Sequence, residues 1–123
     1  LLDDLDLTGK GIRTIEVFGE KSSVTNWALA LDTIIEAIYD SRPDFIEATQ
    51  ESEYATKYIR TDSSAFQASM EIKDTGYHVN VGTNTNTKIR LVHELAKLFN
   101  LSREEIKADI VNYSNGDSEE DGE

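Results

Sequence analysis

Cysteine is absent from this chain of 123 residues, and with it go disulfides, thiolate metal sites and cysteine nucleophiles. A disulfide-built secreted scaffold is therefore excluded. The single proline, Pro43, leaves one place where a helix pattern must break. Histidine occurs twice, at His78 and His93. His93 precedes Glu94, but no second histidine lies four residues away, so the helical zinc-binding pattern is missing. Each histidine reads as structural or simply exposed. No apolar run is long enough to cross a membrane. The opening Leu1-Leu2-Asp3-Asp4-Leu5-Asp6 has no basic segment and does not form a signal peptide. These absences predict a cytoplasmic protein. The chain does not open on methionine, which predicts a piece of a longer protein with further domains, or a trimmed chain.

Catalytic signatures are missing as well. Gly-x-Ser-x-Gly does not occur, so no serine sits on a nucleophile elbow. The acids are abundant, yet none forms a pair singled out by an apolar setting, as acid–base catalysis requires. The expectation is a binding module and not an enzyme, with no cofactor and no metal.

What is present is acid, unevenly placed. The formal net charge is −12. Asp3, Asp4 and Asp6 open the chain, and Asp117, Glu119, Glu120, Asp121 and Glu123 close it. Between them, residues 7–53 carry nine acids and four bases, whereas residues 54–115 carry seven acids and eight bases. Affinity for nucleic-acid phosphates follows positive potential, so the whole chain is a poor non-specific duplex binder. Its second half, with Lys57, Arg60, Lys88 and Arg90, is where an anion would be expected to bind. The length suits one domain with a real core. Residues 1–9 read as an acidic linker or disordered start, 10–113 as a single α+β domain, and 114–123 as an acidic disordered tail.

Local patterns divide the domain. Ile12 to Phe18 is β-rich, Gly19-Glu20-Lys21 turns, and Ser22-Ser23-Val24 returns, making a hairpin. Thr25 or Asn26 caps a helix from Trp27 to about Asp40, whose apolar face is Trp27, Leu31, Ile34, Ile35 and Ile38. Pro43 opens a second short helix to about Gln50, anchored by Phe45 and Ile46. Residues 51–64 fit a strand or a continued helix. Phe66, Ala68, Met70 and Ile72 alternate, Asp74-Thr75-Gly76 turns, and Tyr77, Val79 and Val81 alternate, which predicts a second hairpin. A helix with Ile89, Val92, Leu95, Ala96 and Phe99 on its core face follows. Asn100 suits its left-handed end, Ser102 to Glu105 reads as a capping box, and residues 107–113 end the fold as a strand. The expected architecture is α+β: a small, mostly antiparallel sheet with two main helices packed on one face. The later strand–strand–helix–strand order resembles half of a ferredoxin-like unit.

The polar loop 82–87 is the leading candidate site. It joins a strand to a helix N-terminus, where free N–H groups and the helix dipole favour an anion. Thr83, Asn84, Thr85 and Asn86 would offer donors, Lys88, Arg90 and Arg60 would add charge, and Tyr77 would give a stacking face. It lacks the Gly-Lys-Ser/Thr ending of a nucleotide phosphate loop. The competing reading is that Asn84, Thr85 or Asn86 only caps the helix. Tyr54, Tyr58, Tyr77, Phe66 and Trp27 are otherwise core candidates. Arg60-Thr61-Asp62-Ser63-Ser64 is a second polar cluster, either a phosphate grip or an internal Arg60–Asp62 pair.

A resemblance rests on Val24-Thr25-Asn26-Trp27 opening a helix, on Pro43-Asp44-Phe45, and on Gly76-Tyr77-His78-Val79-Asn80 leading through a Thr/Asn loop into an apolar helix and then Leu101 to Val111. Together these resemble an uncharacterised α+β domain near the C-terminus of prokaryotic proteins linked to mobile elements, restriction and phage defence. The resemblance covers roughly residues 10–112 and carries no catalytic signature. A small phage protein that captures nucleotide signals is a related case. The resemblance implies a module attached to an effector; with the polar loop, the expectation is a module recognising a nucleotide or nucleic-acid-related anionic ligand. The alternative is a protein–protein interaction or oligomerisation domain without a small ligand. The exposed edges of the hairpins predict a homodimer.

Overall fold

The computed structural model describes residues 6–112. The expected tail 114–123, residues 1–5 and Tyr113 lie outside the described residues. Strand β1 (Lys10–Val17) turns into β2 (Glu20–Ser23) through Phe18 and Gly19. Both turn residues have positive φ, 52° and 85°, giving the two-residue turn whose twist matches that of a hairpin. The pairing runs from Val17 opposite Glu20 to Thr14 opposite Ser23.

Helix α1 (Trp27–Ser41) starts where Asn26 accepts a hydrogen bond from the Leu29 amide at 2.8 Å. Its apolar face is Trp27, Ala30, Leu31, Ile34, Ile35 and Ile38, all buried. The Trp27 indole donates to the Lys10 carbonyl at 2.9 Å, which ties the helix to β1. After Pro43 comes the short helix α2 (Phe45–Gln50). Phe45 is fully buried and stacks on Phe99 at 5.3 Å, and such a ring pair adds about 1 kcal/mol beyond area burial.

Residues 51–64 resolve into a 3₁₀ turn (Ala55–Lys57) and the two-residue β3 (Ile59–Arg60). Strands β4 (Ser69–Glu71) and β5 (His78–Asn80) are shorter than their alternation suggests. Helix α3 (Thr85–Phe99) ends at Asn100, which is left-handed at φ 56°. A second 3₁₀ turn (Arg103–Glu105) carries the complete Ser102–Glu105 capping box and leads into β6 (Ile106–Asn112).

The class is α+β, but the strands form two three-stranded sheets, ordered β2-β1-β6 and β3-β5-β4, both antiparallel. The single sheet expected from the sequence is thus corrected to two. The ferredoxin-like half-unit is not built either, because β6 leaves the β4–β5 hairpin and pairs with β1. That choice buries Ile106 against Val17, completing the face that Ile12 and Ile15 begin. Helix α1 packs on β1 and against α3, and Ile59 and Val79 of the second sheet, with Ile72 just after β4, join the same core. The domain also starts earlier than expected. Leu7, read as linker, is 3% exposed and belongs to the core.

Candidate anion-binding face

The polar loop is committed to the fold. The Asn84 side chain accepts from the Thr87 amide at 2.8 Å, so it caps α3. The amide of Gly82 donates to Asn80 Oδ1 at 2.9 Å. Asn86 turns to the N-terminal segment: its Oδ1 accepts from the Leu7 amide at 2.7 Å, and its Nδ2 donates to Asp6 Oδ1 and Thr8 Oγ1, each at 3.1 Å. The chain thereby brings its own carboxylate to this end of the helix. Hydrogen bonds from Thr8, then from Asn86, hold the Asp6 carboxyl below its ordinary range. Lys88 is 7% exposed and its Nζ donates to the Thr83 carbonyl. Burial lowers its pKa, as expected for an ammonium taken out of water.

The other residues assigned to this site lie elsewhere. Tyr77 precedes β5 and the loop follows it, so the three residues of strand β5, about 10 Å of extended chain, separate them. The expectation that Tyr77 stands beside the loop is corrected accordingly. Arg60 pairs across the sheet with His78, at the Tyr77 end. Arg60 lowers the Asp62 carboxyl only as the smallest influence, after the Ser64 hydrogen bonds. Arg90 places its guanidinium 5.4 Å from the centre of the Tyr54 ring. The eight residues therefore divide into three places: Thr83, Asn84, Thr85, Asn86 and Lys88 at the helix start, Arg90 beyond it, and Arg60 with Tyr77 at the far end of β5.

A different grouping emerges on the solvent side of α3. Lys57 Nζ lies 5.7 Å from the same Tyr54 ring, so two cations address one aromatic group. Tyr58 sits 5.3 Å from Tyr54 in a tilted arrangement. Burial, with the Tyr58 hydroxyl adding to it, pushes the Tyr54 phenol up to about 12, so it stays neutral. Along the helix, Arg90, His93 and Lys97 follow i, i+3, i+7 spacing and share one ridge. Beyond the ridge opens a cleft of about 470 Å³ lined by His93, Ala96, Lys97, Asn100, Leu101 and Arg103.

The electrostatics of that cleft are mixed. A helix C-terminus carries partial negative charge, which opposes an anion. Here three of the last carbonyls are already bonded: Ala96 accepts from the Leu101 amide at 2.8 Å, Lys97 from the Asn100 amide at 3.3 Å, and Phe99 from Arg42 at 2.9 Å. Lys97 pairs with the half-buried Glu94 at 3.5 Å, and Arg103 lies 3.6 Å from Glu104. The His93 Nε2 is enclosed and meets no hydrogen-bond partner among the described residues. Among the described residues no group of three or more His, Asp or Glu side chains is placed to hold a metal. No helix there is long and apolar enough to cross a membrane.

Sequence reasoning assigned Tyr54 and Tyr58 to core candidates and did not single out Lys97 or Arg103. The spacing of Arg90, His93 and Lys97 was the available signal. Comparison with protein-family models, with curated proteins and with solved structures finds no match for the chain.

Proposed function

We propose that this domain is a non-catalytic binding module, acting in the cytoplasm, that takes a nucleotide or nucleic-acid-related anion on the exposed side of α3. The observation that supports this most is the placement of Lys57 and Arg90 on one ring, Tyr54, beside Tyr58. Cations anchor phosphates, and aromatic and guanidinium planes stack on bases, so this combination suits a nucleotide better than a simple inorganic ion. The helix N-terminus is the weaker place, because its caps and Asp6 already occupy it.

The defence or mobile-element setting implied by the resemblance, with further domains attached, belongs to the same proposal. So does a homodimer. Strand β2 is exposed at all four residues and forms one edge of its sheet, and an open edge invites pairing. That edge also favours the second reading, an oligomerisation domain without a small ligand.

The test is an amide chemical-shift titration with single nucleotides and short oligonucleotides at low salt. Shifts gathered on residues 54–60 and 90–103 are expected. Shifts confined to 82–87 or to 12–40, or none at all, would refute the proposal.

A further inference from the structure

The ridge of α3 joins two places that suit different parts of one ligand. At one end is the Tyr54 ring with Tyr58, Lys57 and Arg90 around it. At the other is the 470 Å³ cleft, with apolar Ala96 and Leu101 and the cations Lys97 and Arg103. Seven residues separate Arg90 from Lys97, which is about 10 Å of helix. The cleft lies on the flank of α3 where His93 and Ala96 sit. Tyr54 touches the flank carrying Arg90.

A ligand using both places needs two separated flat or apolar groups with negative charge between them. We infer that the ligand is a linear single-stranded nucleic-acid segment of at least two nucleotides, with one base on the Tyr54–Tyr58 platform, a phosphate on the Arg90–Lys97 ridge and the next nucleoside in the cleft. The inference rests on the nucleotide reading above and adds the form of the ligand. Duplex is disfavoured for two reasons. Its dense phosphates meet a protein of net charge −12, and its stacked bases cannot reach a platform or a cleft. A single strand gains stacking at each end and needs few phosphate contacts.

The experiment is a length series on the intact chain: a mononucleotide, a dinucleotide, a tetranucleotide, a duplex of the same sequence, and a polyglutamate peptide, read by fluorescence anisotropy. Affinity should rise at least tenfold from mononucleotide to dinucleotide or tetranucleotide, and duplex and peptide should bind more weakly than the tetranucleotide. The double variant Lys97→Ala/Arg103→Ala should remove most of the gain with length, weakening the tetranucleotide by at least fivefold more than the mononucleotide. Its circular dichroism melt shows whether the fold is retained. A more conservative variant, Lys97→Gln, repeats the test if it is not. A mononucleotide that binds as tightly as the tetranucleotide overturns the inference but leaves the nucleotide reading intact. Equal affinity for duplex or polyglutamate overturns it in favour of unspecific charge attraction. No binding of any nucleotide overturns both.

Discussion

Replacing Asn86 with alanine isolates what the polar loop contributes. Its Oδ1 accepts from the Leu7 amide at 2.7 Å in a partly buried setting. Leu7 is 3% exposed, so water reaches that amide poorly once the acceptor is gone. An unsatisfied enclosed N–H costs about 1–3 kcal/mol. The bonds to Asp6 and Thr8 are exposed and add little. We expect a loss of about 2 kcal/mol, limited by the freedom of residues 6–9 to detach. At about 2.1 cal/mol/K per residue, that corresponds to a Tm lower by about 8 °C for this chain. Urea unfolding followed by circular dichroism gives the free energy, and amide hydrogen exchange shows whether Leu7 to Ile12 lose protection first. A variant within about 0.3 kcal/mol of the parent, with unchanged exchange at Leu7, would show that the Asn86–Leu7 link does not hold the N-terminal segment down.

Two further perturbations probe the same frame. A Cβ built at Gly82 meets the Ala68 backbone nitrogen at 2.8 Å, closer than real contacts allow, so Gly82→Ala should cost about 1–3 kcal/mol in urea unfolding; a neutral result would contradict the close approach of the two segments. Burial, then repulsion from Glu36, pushes the Asp32 carboxyl up to about 6, against the opposing pull of Lys73. Its folded pKa exceeds the unfolded one, so its favourable contribution is complete below about pH 4 and is lost as pH rises through 6. Allowing for its partial exposure, Asp32→Asn should be about 1 kcal/mol more stable than the parent at pH 7 and equal to it below pH 4. A stability difference independent of pH would rule this out.

Much of the fold was legible because short-range physics determines it. The apolar spacing of Trp27 to Ile38 and a cap at Thr25 or Asn26, which the structure gives to Asn26, marked α1 to within a residue. Asn100 and the Ser102–Glu105 box marked the end of α3 and the turn after it, since a left-handed residue and a reciprocal cap need only local partners. Partner choice at long range was not legible. Nothing in the alternation of residues 106–112 says that they pair with β1 and not with β5. Likewise, the Asn86 bond to Leu7 spans 79 positions, so local pattern could offer a helix cap in the polar loop but not its tie to the N-terminal segment. The candidate site was legible in part. Arg90 was singled out, but it was assigned to the loop because sequence neighbours look like spatial neighbours. The helix turns its guanidinium to Tyr54, a residue from the stretch whose structure was least defined by pattern.

The central claim is that anions are held by the Tyr54 face and not by the α3 N-terminus. Affinity for a short single-stranded oligonucleotide at low salt, measured for the parent, Lys57→Ala/Arg90→Ala and Asn86→Ala, tests it most directly. Losing two charge-assisted contacts at about 1.5 kcal/mol each predicts roughly a hundredfold weaker binding for the double variant. Asn86→Ala, measured where it remains folded, should bind within about twofold of the parent. Retained affinity in the double variant together with lost affinity in Asn86→Ala would contradict the account and return the site to residues 82–87.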